Sequence, residues 1–310
     1  MINDLRNGIW PTMMVPMHED ASIDYEATER LLNWYHESGA HGIFALCYSS
    51  EIRMMTLEER ISLMRFIAGH LPKGMQLTAS AHVADEIDDQ IEEFKKIIDA
   101  GAPRLVMIVN RLAREGESDD MLIRNAEKIL NAFPDIDFGL YECPFPYRRL
   151  LSSETLGRLA KTNRFTFMKD TCCNTPLILE KLKAVEGTRL KIYNANAATL
   201  WETWKAGCAG FSGIMCNFHT DLYVRMWQAF EEKDEELGQW LQTVLGMFSS
   251  IERMNYPVNA KAYQMKNLGM TAVSRQKSVN DMRYSFYKEL DYLHQCEEWV
   301  REKVRAHDAK

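Results

Sequence analysis

One of the apolar runs of the sequence ends in a lysine, whose amine is a nucleophile once it is neutral. In segment 165–170 the alternation of a β-strand puts Phe165, Phe167 and Lys169 on one face. If that face points into a barrel, burial lowers the pKa of the Lys169 ammonium towards neutrality. A neutral lysine attacks a ketone and forms a Schiff base. The alternative is a solvated lysine that pairs with Asp170.

Two other apolar runs end in groups that such a reaction needs. Tyr141 ends the preceding run, where its phenol could face Lys169 and move protons near the imine. The alternative is a tyrosine that caps the core. After the second run, the hydroxyl and N–H groups of Ser49 and Ser50 could bind a carboxylate. The alternative there is a turn that leads into the capping box at 56–59.

Regular alternation of apolar runs and amphipathic segments would position these side chains. Segments 25–38, 56–71 and 85–100 have the apolar spacing of helices. Alternating strands and helices imply a parallel sheet, and eight repeats favour a (β/α)8 TIM barrel with its active site at the C-terminal strand ends. No GxGxxG follows the first run, which argues against a Rossmann fold. The predicted strands are 9–17, 42–46, 75–79, 104–109, 137–141, 166–168, 190–193 and 210–214.

The pattern changes after about residue 230. Residues 231–250, 259–268 and 279–306 have helical character with no strand between them. The sequence therefore predicts an α/β protein with two parts. Residues 1–230 form the barrel, and residues 231–310 form a C-terminal three-helix extension.

Composition excludes several classes of protein. The chain has 310 residues and a net charge of -7, so it has no basic surface for nucleic acid. No apolar run is long enough to span a membrane, and residues 1–10 lack the core of a secretory signal. Seven cysteines, an odd number placed mostly in apolar stretches, indicate reduced thiols and a cytoplasmic protein.

Four motifs, in order and at matching spacing, resemble the dihydrodipicolinate synthase / N-acetylneuraminate lyase family of class I aldolase barrels. Residues 167–170 (FMKD) resemble its strand-6 lysine motif, and 141–144 (YECP) resemble its Y-N-x-P. Residues 153–159 (SETLGRL) and 207–213 (GCAGFSG) resemble its P-E-T-x-x-x-L and G-x-x-G-x-I-S. The strand-2 signature G-T-T-G-E-S-x-x-L-T-x-E-E is matched only in part, by 47–59. The similarity extends from about residue 8 to 230.

This resemblance implies a role for each matching residue. Lys169 would form the imine with C2 of a 2-keto acid, and Tyr141 would relay protons beside it. The Ser49–Ser50 turn would hold the carboxylate, and the backbone at Ser212 would contact the bound keto acid. No metal or dissociable cofactor is implied. Members of the family are usually tetramers of tight dimers, so a homo-oligomer, either dimer or tetramer, is expected.

The sequence departs from the family at positions that matter for dihydrodipicolinate synthesis. Tyr48 replaces the first threonine of the strand-2 signature, and Cys47 and Ser50 replace its two glycines. Arg111 and the leucine after it replace a tyrosine pair that the synthases place after strand 4, one of which joins the proton relay across subunits. Pro146 stands where the synthases have an arginine. These changes argue against dihydrodipicolinate synthesis as the function.

The prediction is therefore a Schiff-base lyase, an aldolase that acts on pyruvate, another 2-keto acid or a keto-deoxy sugar acid, with an aldehyde as partner. Tyr48, Arg111, Asn194 and Asn196 are expected at the mouth, where an arginine and amides suit an acidic or hydroxylated substrate tail. A dehydratase or hydratase that uses the same lysine is one alternative, and a non-catalytic keto-acid-binding barrel is another. His82 ends strand 3 and is either an acid–base group or a structural histidine.

Overall fold

A parallel sheet of eight strands curves into a barrel, as the strand–helix alternation predicts. The computed structural model describes residues 4–309. The strand order is β1-β8-β7-β6-β5-β4-β3-β2, so from β2 to β8 each strand lies beside its neighbour in sequence, and the first strand lies beside the last. The strands are β1 (Gly8–Ile9), β2 (Gly42–Ala45), β3 (Gln76–Ala79), β4 (Leu105–Ile108), β5 (Phe138–Tyr141), β6 (Phe165–Asp170), β7 (Lys191–Asn194) and β8 (Gly210–Phe211).

Single hydrogen bonds rather than a ladder close the barrel between β1 and β2. Met13 N–H donates to the Phe44 carbonyl at 2.9 Å, and Phe44 N–H donates to the Pro11 carbonyl at 2.9 Å. The predicted first strand, 9–17, is therefore much shorter than its apolar run. Pro11 and Pro16 have no N–H to donate, which interrupts a regular ladder there.

Helices follow the strands and cover the sheet. The predicted segments 25–38, 56–71 and 85–100 are helical within two residues of their ends. The capping box at 56–59 is present, since Thr56 N–H donates to Glu59 at 2.9 Å and Glu59 N–H donates to the Thr56 hydroxyl at 3.1 Å. The helices are α1 (Tyr25–Glu37), α2 (Leu57–His70), α3 (Ile87–Asp99), α4 (Val109–Leu112), α5 (Asp119–Ala132), α6 (Ser153–Ala160), α7 (Thr175–Ala184), α8 (Leu200–Lys205), α9 (Cys216–Glu232), α10 (Glu235–Glu252), α11 (Val258–Leu268) and α12 (Tyr284–Asp308).

Aromatic side chains fill the interior of the barrel. The Phe167 ring lies 5.7 Å from Trp10, 5.6 Å from Phe44 and 4.8 Å from Tyr193, measured between ring centroids. These rings come from β2, β6, β7 and the residue after β1, so the face of β6 that carries Phe167 points inward. Lys169 follows two residues later on the same face, above this apolar layer.

The three C-terminal helices, α10 to α12, are joined to the barrel through a buried carboxylate. Glu51 lies in the loop after β2 and is fully buried. It accepts hydrogen bonds from Lys261 Nζ at 2.5 Å, Ser274 Oγ at 2.8 Å and Arg275 N–H at 2.6 Å. The loop after β2 is thereby fixed to the segment between α11 and α12. Within residues 4–309, none of the helices combines the length and the apolar character of a membrane span.

Gly210 tests the closure of the barrel. A Cβ at this position would lie 1.8 Å from the Gly8 carbonyl oxygen, which belongs to the paired backbone of β1. We expect Gly210→Ala to lower the free energy of unfolding by about 3 kcal/mol or more, since overpacking against backbone cannot relax easily. Urea denaturation measures this change.

Gly69 provides the matched control. It lies in α2 and a Cβ there would meet nothing within 4 Å, so Gly69→Ala should leave stability unchanged or raise it by up to about 1 kcal/mol. Equal effects of the two substitutions would contradict the tight β1–β8 contact.

Candidate active site

A cavity of about 380 Å³ opens at the C-terminal ends of the strands. It lies above the aromatic layer and receives side chains from the barrel and from the C-terminal region. Its lining consists of Tyr48, Ser49, Tyr141, Pro144, Phe145, Lys169, Thr171, Cys173, Ala195, Asn196, Ile214, Met215, Arg253, Asn255, Tyr256 and Lys277.

Lys169 is the buried lysine of this cavity. Its side chain is 3% exposed, and its Nζ lies 4.8 Å from the centroid of the Tyr141 ring and 6.0 Å from that of Phe44. Burial lowers the pKa of the Lys169 amine below its ordinary value. Across residues 4–309, no ion pair includes Lys169. Losing its proton therefore costs Lys169 less than it costs an exposed lysine, in a place that a small molecule can enter.

Tyr141 stands directly beside Lys169. The two residues are partners in the register of β5 and β6. The phenol is buried, and burial raises the pKa of Tyr141 well above its ordinary value. The group therefore keeps its proton at neutral pH, so it can donate a hydrogen bond or a proton to an atom attached to the lysine.

The residues that follow Tyr141 and Lys169 are held together by a second, unreactive lysine. Lys181 Nζ on α7 donates to Glu142 and to Asp170, both at 2.6 Å, and all three side chains are buried. Burial alone would lower the pKa of Lys181, but the two carboxylates raise it. Burial and the nearby Asp170 carboxylate raise the pKa of Glu142. This cluster fixes the ends of β5 and β6 relative to each other.

The loop after β2 brings Tyr48 and Ser49 to the cavity. The Tyr48 ring stacks on Phe145 with centroids 4.8 Å apart and planes 5° from parallel. The Ser49 hydroxyl donates to Thr12 Oγ1 at 3.3 Å. Ser50 does not line the cavity, because its hydroxyl is turned into the loop and donates to the Met13 carbonyl at 2.6 Å.

Three other predicted binding residues lie outside the cavity lining. Arg111 is drawn away from the mouth, since it donates to the Val83 carbonyl at 2.7 Å and pairs with Asp85. The Asn194 amide is buried and donates to hydroxyls of α8 and the turn before it. Ser212 is buried, and its N–H donates to the Asn194 carbonyl at 2.9 Å. Of the two predicted asparagines, only Asn196 lines the cavity.

The sequence does not predict four lining residues from the C-terminal region: Arg253, Asn255, Tyr256 and Lys277. The Tyr256 phenol lies beside the Ser49 and Thr12 hydroxyls and accepts a hydrogen bond from Asn217 Nδ2 at 2.9 Å. Burial raises the pKa of Tyr256 above its ordinary value. No periodic signal marks these positions, because they lie in connections between helices.

His82 has a structural setting. Its Nδ1 donates to Gln90 Oε1 at 2.9 Å and its Nε2 accepts from Ile108 N–H at 2.7 Å. Burial lowers its pKa to about 3, so the ring stays neutral with both nitrogens occupied. In the described part of the chain, no three His, Cys, Asp or Glu side chains gather in a way that could hold a metal ion.

Comparison with known proteins identifies the family. The model of the dihydrodipicolinate synthetase family matches residues 5–290. The chain belongs to the dihydrodipicolinate synthetase family. Members of this family are lyases of the class I aldolase type, so the protein is an enzyme of that kind. A 4-hydroxy-tetrahydrodipicolinate synthase of Marinobacter nauticus is 24% identical over 272 residues, which cover 84% of this chain and 89% of the relative.

Solved structures of dihydrodipicolinate synthetase family proteins share the fold. A dihydrodipicolinate synthase from Bacillus anthracis superposes with a TM-score of 0.85 at 18% identity, covering 94% of this chain and 99% of its own. YagE, an Escherichia coli K12 prophage protein of the dihydrodipicolinic acid synthase family solved with pyruvate, gives a TM-score of 0.82 at 19% identity, covering 93% and 97%. The TIM barrel with C-terminal helices is thus the family fold.

Lys181 offers a test of the cluster that supports the site of this family member. We expect Lys181→Met to lower the free energy of unfolding by about 3–5 kcal/mol, because it leaves two buried carboxylates without their cation. Lys183→Met is the control, since Lys183 lies on the same helix and is exposed. Urea denaturation of both variants measures the difference, and similar losses would contradict a buried cluster.

Proposed function

We propose that the protein is a Schiff-base-forming lyase that cleaves or forms a carbon–carbon bond next to the carbonyl of a 2-keto acid. One observation carries the proposal: a lysine of lowered pKa faces a cavity, beside a protonated phenol and without an ion-pair partner. These are the properties that an imine-forming lysine needs. Pyruvate in the structure of YagE supports a small 2-keto acid as ligand.

The chemistry begins with the neutral amine of Lys169. Its lone pair adds to C2 of the keto acid, and the proton that the nitrogen then loses passes by way of Tyr141 to the carbonyl oxygen, which gives a carbinolamine. Tyr141 then gives its own proton to the hydroxyl, which leaves as water, so that a protonated imine and the Tyr141 phenolate remain. Both proton transfers are assigned to Tyr141 because its ring lies 4.8 Å from the amine, measured from the ring centroid to Nζ.

The protonated imine then acts as an electron sink. In the cleavage direction, the Tyr141 phenolate takes the proton of the C4 hydroxyl, the C3–C4 bond breaks, its electron pair moves into the imine as an enamine, and C4 leaves as an aldehyde carbonyl. Protonation of C3 and hydrolysis return the free lysine and the shorter keto acid. In the synthetic direction the enamine attacks the aldehyde instead. No dissociable cofactor is part of this scheme.

The carboxylate of the keto acid would lie against the hydroxyl cluster of Ser49, Thr12 and Tyr256. Ser49 and Tyr256 both line the cavity, and their hydroxyls lie beside that of Thr12. Two phenols, Tyr141 and Tyr256, thus come from a single chain. This arrangement and the stacked Tyr48 at the mouth support a substrate other than that of dihydrodipicolinate synthesis.

Trapping with borohydride tests the imine directly. Incubation with pyruvate and borohydride should add one reduced pyruvyl group, and peptide mapping should place it on Lys169. Lys169→Ala should abolish the adduct, whereas Lys161→Gln, at the opposite end of β6, should not. If pyruvate gives no adduct, longer 2-keto acids follow, and failure of that whole panel would overturn the proposal.

The same adduct gives a pH dependence. Only the neutral amine reacts, so the initial rate of trapping by cyanoborohydride rises with pH until Lys169 is deprotonated. Because burial lowers the pKa of Lys169, the rate should level off below the ordinary lysine value of about 10.4. A midpoint at or above that value would contradict the desolvated amine.

Tyr141→Phe tests the proton relay without knowledge of the aldehyde. Imine and enamine formation exchange the methyl hydrogens of pyruvate with D2O, which NMR follows. Removing the phenol should slow this exchange about 100-fold or more while slow trapping at Lys169 continues. Tyr193→Phe is the control, because that phenol lies inside the barrel and donates to the Arg6 carbonyl. Unchanged exchange in Tyr141→Phe would remove Tyr141 from the mechanism.

Analysis of the reaction products distinguishes the proposed aldolase from the remaining alternative. A dehydratase or hydratase would release or add water across a carbon–carbon bond of a keto-deoxy sugar acid through the same lysine, and would produce no aldehyde. A homo-oligomer and a cytoplasmic location stay predictions of the sequence.

A further inference from the structure

The charge of the active-site cavity differs from that of the whole chain. Acidic residues outnumber basic ones, 44 to 37, yet no acidic residue lines the cavity. Three basic residues do, namely Lys169, Arg253 and Lys277. Such a cavity attracts anions and strengthens its field through the low-dielectric walls around it.

Arg253 and Lys277 are not used to stabilise the fold through ion pairs. In residues 4–309, neither takes part in an ion pair, although Arg275, two residues before Lys277, pairs with Glu59 at 2.7 Å. Arg253 donates to the neutral Ser249 hydroxyl at 2.8 Å, and its charge acts on the neighbouring Glu252 carboxylate without forming an ion pair with it among residues 4–309. Both cations therefore keep their charge available to a ligand.

The three basic residues lie in two parts of the cavity, one at its buried end and two at its open side. Lys169 lies at the buried end, on β6, and must be neutral to attack a ketone. Arg253, after α10, and Lys277, between α11 and α12, are exposed and line the open side. A 2-keto acid bound at Lys169 places its own carboxylate near the Ser49 hydroxyl. The two outer cations are left for a second anionic group.

We infer that Arg253 and Lys277 form an anion subsite that selects 2-keto acids with a second carboxylate at the far end of the carbon chain. This inference rests on the proposed function for the orientation of the ligand. On this inference, the C-terminal region selects the substrate, and the barrel supplies the residues that react with it. The stacked rings of Tyr48 and Phe145 bound the same opening and suit a carbon chain between the two charged ends.

Pairs of keto acids of equal chain length, with and without a second carboxylate, measure the contribution of that carboxylate to binding. 2-Oxoglutarate is compared with 2-oxopentanoate, and 2-oxoadipate with 2-oxohexanoate, by the concentration that gives half-maximal borohydride trapping at Lys169. We expect the dianion of at least one pair to be trapped at a roughly 10-fold lower concentration, on the order of threefold for each of the two exposed cations. Within a pair, the ratio cancels any change in the folded fraction of a variant.

Three variants and a control test whether Arg253 and Lys277 cause the preference for dianions. The ratio should fall in Arg253→Gln and Lys277→Gln, and approach one in the double variant. Lys161→Gln removes the same charge on the far side of the barrel, and should keep the wild-type ratio. A wild-type ratio near one, or a ratio that survives in the double variant, would overturn the inference.

A second measurement separates this inference from the proposed function. In Lys169→Ala, which forms no imine, glutarate should raise the melting temperature more than pentanoate does, and the double variant should remove that difference. If no keto acid is trapped but the glutarate effect is present, the imine chemistry fails and the anion subsite stands. If trapping succeeds without selectivity for dianions, the imine chemistry stands and the subsite fails.

Discussion

The active site depends on one buried ion cluster, in which Lys181 bridges Glu142 and Asp170. Each carboxylate belongs to the residue that directly follows Tyr141 or Lys169, the two side chains to which we assign the chemistry. Glu142 also accepts from the N–H of Thr171, at 3.1 Å, so the loops after β5 and β6 are joined twice. Burying three charges costs free energy, which their mutual attraction offsets only when the geometry is kept. The cluster therefore holds the phenol and the amine in fixed relative positions.

A second buried charge, the carboxylate of Glu51, ties the C-terminal region to the site. Lys261 and two backbone N–H groups, of Arg275 and Gln276, hold Glu51 just after the turn that carries Tyr48 and Ser49. The same region delivers Tyr256, Arg253 and Lys277 to the cavity. Strands β5 and β6 supply Tyr141 and Lys169, the loops after the strands supply much of the wall, and the extension supplies the other side.

The sequence predicts the fold and the centre of the site for physical reasons. Strand alternation and strand order in a parallel barrel are local rules, so they place Lys169 inward and Tyr141 beside it. Side-chain direction in loops follows from particular neighbours, which explains why Asp85 turns Arg111 away from the mouth. Tyr256 and Lys277 reach the cavity through contacts more than 200 residues distant in sequence, such as that of Gln276 with the Tyr48 carbonyl. No pattern along the chain encodes such contacts.

The two sides of the cavity come from different parts of the chain, the barrel and the C-terminal extension, and so they can change independently in evolution. A substitution of Arg253 or Lys277 changes no strand, no inward-facing ring, no member of the Lys181 cluster and none of the groups that hold Glu51. Substitutions at these two positions can therefore accumulate without disturbing the surroundings of Lys169. The same barrel can thus be retained while its substrate preference drifts, so the extension is where divergence between paralogues would first be visible.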